Sequence, residues 1–266
     1  MHNRYSDMYK FMQKNTNPFF LLLLGIFIMI PWGGAEAKKI KEAYNCSERF
    51  EKVKKKFEKG KYGDVKNICD DIRLNCHGHN VMDSVIYYLA KAQMLTKNPD
   101  EAKVEFQQIV RDYPNSPFAE EARFRIGQCS LLDSKSFERD QATTKEAIRE
   151  LRRFVISYPQ SPFADSAKVY YSQAIEKLAK KEFSNARFYE KIDEYEAAVV
   201  YYKVLINEFP ESKYVPEAKL NMVEDLMKVN RETEAQAILE DLLNSEIGNE
   251  IRGKAEALKE RLGKSG

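Results

Sequence analysis

The amino-acid sequence predicts an all-α protein built from repeated helix hairpins, and three observations support this fold class. The chain of 266 residues holds only 11 Gly and 9 Pro, too few for a sheet protein with many tight turns. Its 15 Tyr and 15 Phe fall mostly at helical spacing rather than in alternating runs. A segment that combines an aromatic residue, a proline and a serine recurs three times, which is typical of a helical repeat array.

The three recurring segments, residues 113–122, 158–167 and 209–218, share one order of residue types. Each begins with an aromatic residue that closes one helix, followed by a proline that cannot continue it. A serine then serves as a turn or N-cap residue before a new helix begins. Because a single hairpin cannot bury its apolar stripe alone, stacked hairpins share a continuous core. We therefore expect a solenoid.

The hairpins follow the tetratricopeptide pattern of about 34 residues, in which small residues lie where the two helices cross. The segments that start at Asp83 and Ala179 fit this pattern well. We expect about five repeats, the first over residues 46–80 and the last over residues 216–247, followed by a capping helix over residues 250–262. The expected small residues of the second helices are Val65, Ala102, Ala147, Ala198 and Ala235.

The intervals that lead to Ala147 and Ala198 exceed the repeat length, so the third and fourth repeats carry insertions. In the third repeat, we expect helices near residues 119–132 and 141–157 with an extended loop between them. In the fourth repeat, residues 164–188 contain no helix breaker, which predicts an unusually long first helix.

Residues 1–37 predict a secretory signal peptide, because a basic start is followed by the apolar run 19–32 and by small residues at Ala35 and Ala37. The apolar run is shorter than the ~20 residues that a spanning helix needs, although an uncleaved anchor is the alternative. Cleavage after Ala37 would leave residues 38–266 as one exported repeat domain in the periplasm. No cysteine directly follows the apolar run, so we expect no lipid attachment.

Four cysteines, Cys46, Cys69, Cys76 and Cys129, lie in the expected mature chain. An exported chain meets an oxidising compartment, and four cysteines allow three full pairings. Cys46 opens the first helix and Cys76 ends its antiparallel partner, so these two ends should be adjacent. We expect a Cys46–Cys76 disulfide, with Cys69 and Cys129 as free buried thiols.

The remaining motifs argue against catalysis, cofactors and nucleic acid. A net charge of +2 from 43 basic and 41 acidic residues lacks the basic excess of nucleic-acid binders. The sequence contains no Gly-rich phosphate loop and no Gly-x-Ser-x-Gly motif. The run Cys76-His77-Gly78-His79 is too tight for a usual zinc spacing. We therefore expect no enzyme activity, no metal, no cofactor and no small-molecule substrate.

Two stretches resemble a known family. The first is Arg139-Asp140-Gln141 ahead of Glu146-Ala147-Ile148-Arg149-Glu150-Leu151, and the second runs from Leu178-Ala179-Lys180-Lys181-Glu182-Phe183 to Tyr195-Glu196-Ala197-Ala198. Together they are similar to the BamD-type component of the bacterial outer-membrane β-barrel assembly machinery. The similarity covers roughly residues 50–243.

This resemblance implies a protein-binding scaffold on the periplasmic side of the outer membrane, held there through its partners. The C-terminal repeats would dock the periplasmic domains of the barrel insertase, and the N-terminal repeats would receive unfolded barrel precursors. By analogy we place the partner-binding face at Tyr87, Tyr88 and Lys91, with a core or solvated role for each as the alternative. The alternative function is that of a repeat adaptor of another envelope complex such as the Tol–Pal system, whose repeats have similar junctions but are more regular.

Overall fold

The computed structural model describes residues 44–265, so the predicted signal peptide lies outside the described residues. Within this range the chain forms eleven α-helices and no strand, and the all-α prediction is confirmed. In chain order the helices are α1 (Cys46–Glu58), α2 (Tyr62–Asn75), α3 (Met82–Leu95), α4 (Pro99–Asp112), α5 (Ala119–Asp133), α6 (Ala142–Ser157), α7 (Ala164–Lys191), α8 (Tyr195–Glu208), α9 (Val215–Lys228), α10 (Glu232–Leu243) and α11 (Asn249–Ser265).

The first ten helices form five hairpins, and each helix packs on the next one along the chain. First helices of adjacent hairpins also touch, as α1 touches α3 and α5 touches α7. The final helix, α11, covers α9 and α10 with three buried apolar residues, Ala255, Leu258 and Leu262. The predicted helix-hairpin solenoid of about five repeats is therefore confirmed.

Small residues lie where the helices of each hairpin cross, as the repeat pattern predicts. A short side chain at this position lets the two backbones approach closely. The most extreme case is Gly127 in α5, where an added Cβ would stand 2.7 Å from Leu151 Cγ of α6. The five predicted small residues of the second helices are all fully buried: Val65, Ala102, Ala147, Ala198 and Ala235.

The two insertions contact each other. Helix α7 has 28 residues whereas α8 has 14, and its middle section reaches the loop over residues 134–141. Lys177 Nζ donates to the carbonyl oxygen of Ser134 at 3.1 Å, and Lys180 Nζ lies 4.4 Å from the centroid of the Phe137 ring. The lengthened helix thereby supports the lengthened loop of the preceding repeat.

The junction serines form turns rather than helix caps. Each hydroxyl accepts a hydrogen bond from the backbone N–H two residues later and donates one to a carboxylate on the first helix of the preceding repeat. These donor–acceptor pairs are Ser116–Asp83 at 2.7 Å, Ser161–Glu120 at 2.5 Å and Ser212–Glu176 at 3.1 Å. The serine therefore links neighbouring repeats as well as turning the chain.

An aromatic residue two positions after each junction serine stacks on a ring of the preceding repeat. Such ring pairs contribute about 0.5–1.5 kcal/mol beyond their buried area. Their centroids are 4.1 Å apart for Phe118 and Tyr87, 5.6 Å for Phe163 and Phe124, and 5.4 Å for Tyr214 and Phe183.

Candidate protein-interaction surface

The predicted partner-binding residues on α3 lie at the contact between the first three repeats. The Tyr87 ring stacks on Phe118, and only 8% of the residue is exposed. Its hydroxyl donates to Glu121 Oε2 of α5 at 2.7 Å and accepts from Lys91 Nζ at 3.2 Å. Burial, together with the hydrogen bond to Glu121, raises the pKa of Tyr87 well above its ordinary value.

Tyr88 faces the other way, towards the first repeat. Its ring meets Phe50 and Phe57 of α1 edge to face, with centroid distances of 5.6 Å and 5.2 Å. Tyr87 and Tyr88 therefore hold repeats together, and Tyr87 offers a partner little surface. That a partner contacts Tyr87, Tyr88 and Lys91 stays a prediction.

Four large apolar side chains on the hairpin of α7 and α8 are also exposed, and their spacing in the sequence did not single them out. Phe188 in the last turn of α7 and Ile192 directly after that helix are 57% and 50% exposed. Val200 and Val204 lie one turn apart on α8 and are 57% and 38% exposed. Residues four apart share one helix face. We name these four residues, with Tyr189 and Tyr201, the α7–α8 apolar surface.

Two tyrosines join the α7 half of this surface to the α8 half. The rings of Tyr189 and Tyr201 stack at 5.1 Å with an interplanar angle of 15°, and the Phe188 ring meets Tyr189 edge to face at 5.5 Å. A hydrogen bond with Tyr189 raises the pKa of Tyr201. The stack gives the surface a rigid aromatic centre.

Charged residues flank the apolar surface on α8. Glu196 and Lys203 lie one turn before and after Val200, and both pair with the following repeat. The partner of Glu196 is Arg231, whose Nη1 stands 2.6 Å from its Oε2, and the partner of Lys203 is Glu234. An apolar centre with a charged rim is the arrangement found in protein–protein interfaces.

Beneath this surface, a buried polar cluster joins the fourth repeat to the fifth. The Tyr202 hydroxyl donates to Glu190 Oε1 of α7 at 2.5 Å and accepts from Asn221 Nδ2 of α9 at 3.2 Å. Asp225 of α9 is 1% exposed. Burial and the neighbouring carboxylate of Glu190 raise its pKa to about 6, against the opposing effect of Lys228.

The cysteines occupy the positions expected from the hairpin geometry. The Cys46 and Cys76 sulfurs are 2.16 Å apart as a disulfide, with 6.0 Å between the Cα atoms. Cys69 and Cys129 are free and buried, and burial raises the pKa of each thiol to about 12. Such thiols are poor nucleophiles at neutral pH.

Comparison with known proteins defines the family. The profile of the YfiO family, described as outer membrane lipoprotein, matches residues 42–240. The chain belongs to the YfiO family. A relative from Aquifex aeolicus (strain VF5), which carries the provisional name outer membrane protein assembly factor BamD, is 37% identical over 232 residues. That alignment covers 84% of this YfiO-family chain and 73% of the relative.

Solved tetratricopeptide-repeat structures are also similar to this YfiO-family chain. A repeat protein from Parabacteroides merdae is 11% identical, with a TM-score of 0.37 and coverage of 83% of this chain and 86% of that one. A thermophilic repeat protein of Thermus thermophilus is 14% identical, with a TM-score of 0.35 and coverage of 83% and 98%. Scores this low carry no conclusion about the arrangement of the repeats.

Two further features bear on chemistry and membrane contact. Across residues 44–265, no group of three or more His, Cys, Asp and Glu side chains is placed to hold a metal ion. None of the helices in this part of the chain is long and apolar enough to cross a membrane.

Proposed function

We propose that this chain is a protein-binding scaffold of the bacterial cell envelope that takes part in the assembly of outer-membrane β-barrel proteins. Membership of the YfiO family and the name of the Aquifex relative support the process. The observation that carries the binding role is the α7–α8 apolar surface. It leaves Phe188, Ile192, Val200 and Val204 exposed on one hairpin, and contiguous exposed apolar side chains mark protein–protein contact sites.

The energetics suit reversible docking. Full burial of an apolar side chain of this size contributes about 1.5–3 kcal/mol, and the four outward residues of the surface are about half exposed. Covering each one therefore contributes on the order of 1 kcal/mol. The stacked tyrosines lose little conformational entropy on binding because their rings are already held. A partner that covers the whole surface would therefore bind non-covalently.

We assign the α7–α8 apolar surface to the periplasmic domains of the barrel insertase, in keeping with the role of the C-terminal repeats in the similar family. Unfolded barrel precursors would contact the N-terminal repeats near Tyr88 and Lys91, which keep part of their surface open. The scaffold needs no cofactor for either contact. Its proposed location is the periplasm, on the inner face of the outer membrane.

The Cys46–Cys76 disulfide supports export. A disulfide persists in an oxidising compartment such as the periplasm and is rare in the cytosol. We propose that residues 1–37 direct export and that the bond forms after translocation. Mass spectrometry of the mature chain tests both points, with Lys38 as the expected first residue and Cys46 joined to Cys76.

Affinity purification from crosslinked envelopes tests the assembly role. The wild-type chain is expected to recover the barrel insertase. Val200→Glu should reduce that recovery at least tenfold, because it places a charge on the α8 half of the α7–α8 apolar surface. Val104→Glu is the matched control, since Val104 is also an exposed valine on a second helix, at 60%, but lies on α4. Recovery of a different envelope complex, such as Tol–Pal, without the insertase would contradict the proposal.

A further inference from the structure

The outward face of α6 carries a concentration of positive charge that the proposed function does not use. Lys145, Arg149, Arg152 and Arg153 are all exposed and recur along the face opposite the buried Ala147, Leu151 and Phe154. Ile156 lies among them and is 68% exposed. We name Lys145, Arg149, Arg152, Arg153 and Ile156 the α6 cationic face.

Nearby carboxylates neutralise only part of this charge. Glu150 serves two arginines at once, at 3.2 Å from Arg149 and 3.4 Å from Arg153. Glu146, the other acidic residue of α6, is paired with Lys103 of α4 at 3.0 Å. Lys145 and Arg152 form no ion pair within the described part of the chain. Helix α6 alone therefore carries four cations against two carboxylates.

A recess of about 150 Å³ adjoins the cationic face where α4, α5 and α6 meet. Val110, Ile126 and Phe154 give it apolar walls, and its lining also holds the cation of Arg123 and the carboxylate of Glu150. A shallower depression over Ile148 and Ile156 lies beside it on α6. Both depressions are lined by Arg153 and Ser157, so they form one continuous surface of alternating charge and apolar contact.

We propose that the α6 cationic face and its recess bind an acidic polypeptide segment that alternates carboxylates with apolar side chains. The carboxylates pair with Arg149, Arg152 and Arg153, and one apolar side chain enters the recess. Guanidinium groups bind carboxylates through two parallel hydrogen bonds. This contact goes beyond the proposed docking of the insertase and uses a different hairpin.

The shape of the surface favours a polypeptide over an anionic membrane. Stable binding to a bilayer requires a broad apolar face that inserts among the lipids, whereas the α6 cationic face exposes one isoleucine between four cations. The recess, in contrast, has room for a single side chain and is bordered by the charges that would hold the neighbouring carboxylates. A flat lipid surface cannot reach its apolar walls.

Fluorescence anisotropy with a defined peptide tests the proposal. The probe is a fluorescein-labelled eight-residue peptide of alternating Glu and Leu, added to the purified chain at 50 mM salt. We expect saturable binding that weakens at least tenfold at 300 mM salt, because the contact is electrostatic. A Gln–Leu peptide of the same length should not bind. Equal binding of both peptides would overturn the proposal.

A charge-reversed variant locates the site. Arg149→Glu combined with Arg152→Glu should weaken peptide binding at least tenfold. The control combines Lys55→Glu with Lys59→Glu, which makes the same change in net charge at exposed positions of the first hairpin and should leave binding unchanged. Equal loss in both variants would overturn the proposal, as would binding to phosphatidylglycerol vesicles without peptide binding. Because this assay uses the isolated chain, its outcome is independent of insertase recovery.

Discussion

Gly127→Ala should destabilise the protein, although the same change usually stabilises a helix. Gly127 lies in the interior of α5, packed on α6. A Cβ at this position would stand 2.7 Å from Leu151 Cγ, 2.9 Å from Leu151 Cδ2 and 3.2 Å from the Leu151 backbone nitrogen. Leu151 is fully buried and cannot turn away into solvent. The helices must therefore separate to admit the methyl group.

The expected magnitude follows from two opposing effects. Replacing Gly by Ala inside a helix contributes about 1 kcal/mol through helix propensity, and overpacking a close-packed site costs about 1–3 kcal/mol. Because one of the contacts is with the backbone, the upper part of the overpacking range applies. After the gain in helix propensity is subtracted, Gly127→Ala should lower the free energy of unfolding by about 1–2 kcal/mol. Gly253→Ala in α11 meets nothing within 4 Å and should gain up to about 1 kcal/mol.

Urea unfolding followed by circular dichroism at 222 nm measures both variants. The unfolding midpoint should fall for Gly127→Ala and rise for Gly253→Ala. In a Leu151→Ala background, adding Gly127→Ala should destabilise less than it does in the wild type, because the Leu151 Cγ and Cδ2 atoms are gone and only the contact with the backbone nitrogen remains. If Gly127→Ala raised the midpoint as much as Gly253→Ala, the close approach of α5 and α6 would be refuted.

Three further predictions concern stability. Asp225→Asn should raise the free energy of unfolding by about 2–3 kcal/mol at pH 7.5. This gain should vanish near pH 4, and urea unfolding between pH 4 and pH 7.5 measures it. In the folded wild type the pKa of Asp225 is about 6, above the ordinary 3.8, so the wild type loses stability as the pH rises from about 4 to about 6. A gain that is independent of pH would contradict this reasoning. Replacing both Cys46 and Cys76 by Ser should cost about 3–4 kcal/mol, because the sequence separation of 30 residues sets the entropy of the unfolded loop. The test is whether dithiothreitol lowers the thermal midpoint of the wild type but not of the double variant. Ser161→Ala should lower the free energy of unfolding by about 1–2 kcal/mol in the same urea assay. The substitution removes the hydrogen bond that Ser161 donates to Glu120 and the one that it accepts from the Phe163 N–H. An unchanged unfolding midpoint would contradict the role of Ser161 in linking the two repeats.

The repeat architecture could be predicted because its signals are local. An aromatic-Pro-x-Ser junction marks where one hairpin ends, and a small residue marks where two helices cross. The unbroken helical stretch after residue 164 likewise predicted the long α7, which ends at Lys191, three residues beyond the predicted Phe188. The contact between α7 and the loop of the third repeat could not be predicted, because it joins residues 43 positions apart in the sequence.

The surfaces were harder to predict because exposure depends on tertiary packing. The sequence could not show, for example, that the ring of Tyr87 is covered by Phe118 of the next repeat. The α7–α8 apolar surface was missed for the opposite reason. Helix α8 is apolar nearly all round, with Val199 buried and its neighbour Val200 exposed, so periodicity alone could not separate core from surface.

Site-specific photo-crosslinking in intact cells tests the central claim most directly. A benzophenone side chain replaces Phe188 on the α7 half of the α7–α8 apolar surface, and a second chain carries it at the exposed Val104. After irradiation, mass spectrometry identifies the adducts. We expect the position-188 adduct to contain the periplasmic domain of the barrel insertase and the position-104 chain to lack it. An adduct at position 188 with an unrelated envelope protein, and none with the insertase, would contradict the account.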